Sequence, residues 1–498
     1  MHRKKTKIIA LFRKICYTKG NIFTMSTTRK IAHNTGVQLI GKIISTLLGL
    51  FAVGIMTRYL SQEEFGWYTT AIGFLQFSSI LIDFGLIPVT AQMLSEAKGQ
   101  EERLFKNILT FRFWSALFFF LLIPGVAFFF PYPHEVKIAI ALLSLSFFGI
   151  SMNQVLTGFF QTTLKMHLHA IGEVLGRIIL VTGVFFFSRH SGAFYPMMAM
   201  VSVSNIGFTL FMILKAKNYT KIGFAYDWNI WKRIFTKMWP IAISILFNVM
   251  YLKGDILILA AYKTQTEVAL YGAPYKVLDI ITQTAMMLMG VMLPLLSYAW
   301  SQNMKEEFKY RFSQSFDGMM LFALPMTAGL ILLAQKIMLL IAGDKYIDST
   351  YLLQILSLAV FGVYLGAIFG HASVAINRQK QTIWIYVTNA ILTVTGYFIF
   401  IPKYGAIGAA WMSVFSELYA GVLLAVVILY YTKVKISITP FLKILFSTLI
   451  MSGVLFLLPD WNIFFLIPVG MMVYGSSILV TKAVSVKTLK EILKIQSV

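Results

Sequence analysis

Charged side chains buried in oily runs are the residues of this sequence whose type and spacing point to chemistry. Lys42, Arg177, Lys253 and Lys276 are cations in or beside apolar stretches, and Asp83, Glu173, Asp255 and Glu417 are acids in the same setting. A charge surrounded by hydrocarbon is costly, so a functional role is the default reading for each. Cations lining a watery interior offset the cost of holding an anion there. Carboxylates there can bind a proton or a sodium ion and so drive exchange. The amides of Asn205 and Asn248 could hydrogen-bond a polar headgroup. Each residue also has a plainer reading. Glu173 and Arg177 stand at i,i+4 and could neutralise each other. Asp255 follows Lys253 closely, though side chains so near in sequence diverge around a helix. Lys276, one turn from Asp279, could reach back to the interface. Lys42 has no acid within a turn, which makes it the strongest cavity candidate; its plainer reading is contact with headgroups. Asp83 could serve as a cap or pair at a helix end.

Covalent chemistry finds no support. "GVQLIGKI" (Gly36–Ile43) falls short of a phosphate-binding loop, lacks the closing Ser or Thr, and follows no strand. His167 and His169 have no partner ligands nearby in sequence, so no metal site is expected. Cys16 is the one cysteine, which rules out a disulfide framework. No catalytic residue is assigned.

The elements that must position these charges are membrane spans. The 498 residues are 58% hydrophobic and only 13% charged, with a mean hydropathy of +0.75. Soluble chains carry nearly twice that charged fraction. Too little polar surface is available to face water, so lipid must be the outer solvent. Apolar runs of spanning length recur at 35–57, 66–88, 107–130, 137–160, 168–187, 194–214, 238–261, 276–298, 316–342, 350–372, 382–401, 405–430, 441–458 and 462–481. The expected fold is an all-α membrane protein of about fourteen transmembrane helices.

Charge tests that count independently. The net charge is +23, which in a soluble protein would suggest nucleic acid; here Lys and Arg in cytoplasmic loops explain it, and no nucleic-acid partner is expected. With a cytoplasmic N-terminus, 32 of the 43 Lys and Arg fall on the inner side, seven on the outer side and four within spans. A missed or extra span would invert every later loop and erase the asymmetry. Both termini are therefore expected in the cytoplasm, with a plasma-membrane location. Met25 is a second candidate start, and residues 1–24 are given no function.

An internal repeat sets the organisation. "EFGWY" (Glu64–Tyr68) follows span one and "EVALY" (Glu267–Tyr271) follows span seven; Ser191–Val203 and Tyr404–Ser416 open spans six and twelve. A six-span unit repeated with the same orientation implies two lobes about an axis along the membrane normal, with a cavity between them. The expected division is a basic tail (1–34), an N-terminal lobe (35–214), a linker (215–237), a C-terminal lobe (238–430), and two extra spans with a tail (431–498). Gly362, Gly366 and Gly370 repeat every four residues in span ten, a spacing for close helix approach.

Four stretches resemble a known family. "TRYLSQEEFGWYTTAIGFLQFSSILIDFGL" (57–86) resembles the opening of Wzx-type oligosaccharide flippases, and "YLKGDILILAAYKTQTEVALYGAPYKVLDI" (251–280) their seventh-to-eighth helix segment. "GFFQTTLKMHLHAIGEVLGRIIL" (158–180) and "PKYGAIGAAWMSVFSEL" (402–418) are similar too, in the same order. The resemblance covers most of residues 30–430. Its superfamily also holds multidrug and toxin extrusion exporters and the lipid II flippase MurJ. It implies a two-lobed bundle that turns lipid-linked sugars across the plasma membrane by alternating access.

On that resemblance the expected cargo is a polyprenyl-pyrophosphate-linked oligosaccharide for surface polysaccharide, and the protein is not an enzyme. Lys42, Arg177, Lys253 and Lys276 would receive the pyrophosphate, which cannot cross hydrocarbon unshielded. Asn205 and Asn248 would bond headgroup or sugar. No cofactor is expected beyond a coupling proton or sodium ion. Expected partners are membrane lipids, a polysaccharide polymerase and glycosyltransferases. A lipid II flippase and a cation-coupled drug exporter of the same fold stay open; the latter would want an acidic cavity. A membrane-embedded glycosyltransferase would need a catalytic loop larger than any here.

Overall fold

A computed structural model of the chain describes residues 37–38, 40–79, 86–96, 99–163, 165–189, 194–458 and 461–483. The described residues are helical apart from turns and short links. The first lobe holds α1 (Ile40–Tyr59), α2 (Gln62–Ser78), α3 (Leu86–Glu96), α4 (Glu101–Ala127), α5 (His134–Thr162), α6 (Met166–Phe187) and α7 (Phe194–Ala216). The second holds α8 (Trp228–Tyr262), α9 (Gln265–Ser301), α10 (Lys305–Ile341), α11 (Ser349–Ala375) and α12 (Ile383–Thr432). Two further helices, α13 (Ile438–Phe456) and α14 (Ile463–Thr481), pack on each other and on α10. Eleven helices among the described residues are long and apolar enough to cross a bilayer.

Leaving aside the 11-residue α3, the helices match the fourteen expected spans once α12 is read as two. This 50-residue helix breaks at Gly405, whose φ of 56° and ψ of −136° suit glycine and few other residues. Glu267 reaches across from α9, and its Oε1 accepts the Ala406 N–H at 2.7 Å, so the second half begins with a carboxylate on its free amides. Any Cβ at Gly405 would collide with that carboxylate. The eighth span is longer than its apolar core suggested: α9 starts at Gln265, not near Lys276, with Pro274 and Pro294 accommodated inside.

The repeat has a physical basis. α2 is capped by Ser61, which accepts the Glu64 N–H at 3.1 Å while Glu64 accepts the Ser61 N–H at 2.8 Å. α9 is capped at the same place in the second lobe, where Thr264 accepts the Glu267 N–H at 3.3 Å. These two capped helices lie against each other. Gly66 admits the Gln265 backbone, Gly272 admits Thr69, and Thr70 Oγ1 donates to Gln265 Oε1 at 2.6 Å. Gly73 receives Ile256 of α8.

This end of the bundle is also latched by side chains on backbone. Arg58, at the end of α1, donates to the carbonyls of Leu340 (2.6 Å), Ile341 (3.0 Å) and Leu339 (3.3 Å) at the end of α10. Lys345 returns the contact, donating to the Arg58 and Leu60 carbonyls at 3.2 and 3.3 Å. At the other end, the linker is tied to the first lobe. Arg103 pairs with Asp227 at 2.6 Å, and Thr110 accepts the Ala225 N–H at 2.9 Å. Ile234 and Met238 of α8 join the core around Leu104, Phe105 and Met152.

Within the second lobe the span-ten glycines act unequally. Gly362 faces the backbone of Glu417 and Leu418, and Gly421 faces the Gly362 carbonyl, so α11 and α12 cross almost backbone to backbone. A Cβ on Gly366 would meet nothing within 4 Å.

Candidate central ionic site

The site is built where α1, α2, α6, α8 and α9 converge from both lobes. α1 approaches α6 along one face: a Cβ at Gly41 would lie 2.7 Å from that of Ala170, and one at Gly49 would lie 3.7 Å from the Arg177 guanidinium carbon. Between these glycines, Lys42 and Ser45 share a face of the helix. Glu173 accepts from Lys42 Nζ at 2.9 Å and from Ser45 Oγ at 2.8 Å. The sequence leaves Lys42 without an acid and offers Glu173 to Arg177. The structure exchanges those roles, because interhelical contact brings Lys42 to a carboxylate that no helical spacing reveals. Arg177 has no hydrogen bond or ion pair among the described residues.

α8 and α9 supply the other cations. Lys253 Nζ lies 3.3 Å from Asp279 Oδ1 and 4.6 Å from the centre of the Tyr275 ring. Tyr275 is fixed by donating to the Leu252 carbonyl at 2.9 Å. Lys276 lies well inside α9 rather than at an outer loop. Its Nζ is 5.9 Å from the Tyr68 ring centre, within electrostatic reach of Asp279, Lys253 and Arg177. Tyr68 in turn lies near Arg177 and Asp279. Lys276 thus lies within electrostatic reach of two further cations, Lys253 and Arg177, while Asp279 is the ion-pair partner of Lys253. All four remain partly accessible although they lie along spans. With Lys42 and Glu173 neutralising each other, the centre keeps a positive excess. At low effective dielectric such a cluster is mutually repulsive, and a multivalent anion would relieve it.

The acids sit elsewhere. Asp255 is fully buried and turned away from Lys253. Tyr271 donates to its Oδ2 at 2.6 Å, the Ile256 N–H donates to Oδ1 at 2.8 Å, and Ser413 Oγ lies 3.0 Å from the Tyr271 hydroxyl. The separation follows from helix geometry, since two positions turn the side chain by about 200°. Tyr397 closes this polar core by donating to the Tyr251 carbonyl at 2.8 Å. Glu417 is half-buried on α12 at the Gly362 crossing, with no hydrogen-bond or ion-pair partner among the described residues.

Of the two candidate amides, the side chain of Asn205 is described. Asn205 donates to Ser146 Oγ at 2.7 Å and to the Val201 carbonyl at 3.0 Å, so its NH₂ is engaged within the first lobe. The Asn248 side chain and the whole of Asp83 lie outside the described residues. Sequence reasoning named Asp279 only as a neighbour of Lys276 and passed over Tyr68, Tyr271 and Ser413. It also counted Arg112 among the 32 inner-side basic residues, although the expected span 107–130 contains it. Arg112 is fully buried in α4, where it donates to the Ser151 carbonyl at 3.0 Å and to Gln154, both on α5. Its position inside an apolar run was the available signal.

The profile of the polysaccharide biosynthesis protein family matches residues 31–300. A Shigella flexneri protein described as "Putative O-antigen transporter" is 23% identical over 395 residues, covering 76% of this chain and 93% of its own length. The lipid II flippase MurJ, in an inward closed conformation, superposes with a TM-score of 0.74 at 18% identity, over 91% of this chain and 99% of that one. An inward-facing multidrug resistance MATE family transporter of the MOP superfamily superposes with a TM-score of 0.64 at 15% identity, over 80% and 98%. The fold is therefore that of MurJ and the MATE exporters.

Proposed function

Because the chain belongs to the polysaccharide biosynthesis protein family, we propose that it is a flippase: it carries polyprenyl-pyrophosphate-linked oligosaccharide across the plasma membrane for surface polysaccharide. The observation that carries this reading is the proximity of Lys276 to Lys253 and Arg177, cations drawn from α6, α8 and α9, with Asp279 paired to Lys253. A diphosphate brings several negative charges and many acceptor oxygens, and such donors strengthen when water is scarce. The polyprenyl tail stays in lipid while the headgroup sits among the cations, and rocking of the lobes exposes it to one side and then the other. No covalent bond is made or broken. The "O-antigen transporter" description of the Shigella relative supports the choice of cargo. A cationic drug would meet repulsion at this centre, which disfavours the exporter reading.

The division at 35–214, 215–237, 238–430 and 431–498 is kept with this reading. Both termini face the cytoplasm, on the strength of the strong excess of basic residues on the inner side, which persists with Arg112 and Lys276 counted inside helices. Asp255 and Glu417 are the proposed sites for a coupling proton or sodium ion, with Glu173 and Asp83 as further candidates. A polymerase and glycosyltransferases would act on either side of the flipping step.

The test is flipping of a fluorescent undecaprenyl-pyrophosphate sugar in vesicles containing the purified chain. Arg177→Gln and Lys276→Gln are expected to lower the rate at least tenfold in folded protein, about 1.4 kcal/mol of barrier. Wild-type rates in both variants would refute the assignment.

A further inference from the structure

Asp279 is the carboxylate that forms an ion pair with one of the three central cations among the described residues, and nothing above gives it a task. Its charge reduces the attraction that a headgroup site needs, so a site built only for affinity would omit it. Its geometry is specific. It is the ion-pair partner of Lys253, across from α8, and it lies one turn from Lys276 on α9. Its side chain is 35% exposed, more than that of Lys253 at 18%, so the pair is not sealed from solutes. Lys253 also has a second hold, the Tyr275 ring 4.6 Å away, which keeps its ammonium in place when the carboxylate is not its partner.

We propose that Asp279 is a stand-in anion: it occupies Lys253 while the site is empty, yields it to an incoming diphosphate, and recaptures it to drive the headgroup out. The inference rests on the reading of these cations as a headgroup seat. A transporter gains nothing from holding cargo too tightly, because uniform binding lowers the ground state without lowering the barrier. A tethered carboxylate competes with the cargo at every turnover. It weakens binding and speeds departure. Asp279 is thus a positioning residue that acts through Lys253.

The experiment uses farnesyl diphosphate, a soluble prenyl diphosphate, titrated onto the detergent-purified full chain, together with the vesicle flipping assay. Asp279→Asn is expected to bind the probe roughly tenfold more tightly, within the usual range for coupled sites, and to flip more slowly at saturating substrate. A merely structural role would weaken binding and slow flipping together. Asp279→Asn in folded form that binds no tighter than wild type overturns the inference. If that variant does not fold, the double variant Lys253→Met with Asp279→Asn keeps the charge balance. It should bind within about threefold of wild type, whereas Lys253→Met alone should bind at least tenfold more weakly. Equal weakening in the single and double variants overturns the inference as well. Probe binding that Lys276→Gln leaves untouched overturns the headgroup seat itself, and this inference with it.

Discussion

Substituting Gly66 with alanine should open the latched end of the bundle. A Cβ there would overlap the Gln265 carbonyl and lie 3.0 Å from its Cα. Both obstacles are backbone, so no rotamer change clears them. Relief requires α2 and α9 to separate, and that motion pulls on the Thr70–Gln265 bond and on the glycine contacts at Gly272 and Gly73 beside it. Overpacking of this kind costs about 1–3 kcal/mol. The cost falls only on the closed arrangement. The balance between closed and parted forms should therefore shift by roughly five- to 150-fold, at about 1.4 kcal/mol per tenfold. Spin labels at the exposed positions Glu63 and Asp348 read the distance across this end, and Cys16→Ser removes the one native cysteine. Pulsed electron–electron distance measurements should show a longer component growing at the expense of the short one. An unchanged distribution in folded Gly66→Ala protein would mean that the α2–α9 contact does not govern closure.

Two further outcomes follow from the contacts described. Lys42→Ala strips Glu173 of its ion pair and should lower stability by about 1–3 kcal/mol in thermal melts, with Glu173→Gln in the same chain recovering most of it; full stability in the single variant would remove Lys42 from any structural role. Acidification should release the linker. Partial desolvation pushes the Asp227 carboxyl up, but the N–H groups of Ile230 and Asn229 and the Arg103 guanidinium together hold it below its ordinary value. The clasp is thus at full strength above the ordinary carboxylate range and is lost as pH falls through the depressed value. Protease cutting within 217–227 should rise on acidification in wild type and be high at every pH in Asp227→Asn.

Much of this architecture was legible in the sequence because it obeys one-dimensional rules. Span length, the lopsided basic loops and the repeat of Glu64–Tyr68 in Glu267–Tyr271 all depend on residues near each other in the chain. The fold therefore follows from periodicity and charge. The site does so only in part. Arg177, Lys253 and Lys276 stand out because a cation in an apolar run is conspicuous wherever it sits. Their partners are not conspicuous in that way. Which acid meets Lys42 depends on two glycines eight residues apart in α1 that let α6 approach. Whether Lys253 faces Asp255 or Asp279 depends on the rotation of α8 against α9. Lys276 was placed at a boundary because hydropathy marks the oily core of a helix, whereas α9 continues through a polar stretch that the other lobe covers.

The buried arginine of α4 bears on how the chain reaches the bilayer. Arg112 keeps its charge at any ordinary pH, and its guanidinium is held by a carbonyl and an amide that belong to α5. Released alone into lipid during synthesis, α4 would carry that charge with none of those acceptors. Insertion should therefore wait until residues 151–154 have emerged, so that α4 and α5 leave the translocation machinery as one hairpin. The short turn between them, Phe128–Pro133, allows such a pair to form before either helix commits to the membrane.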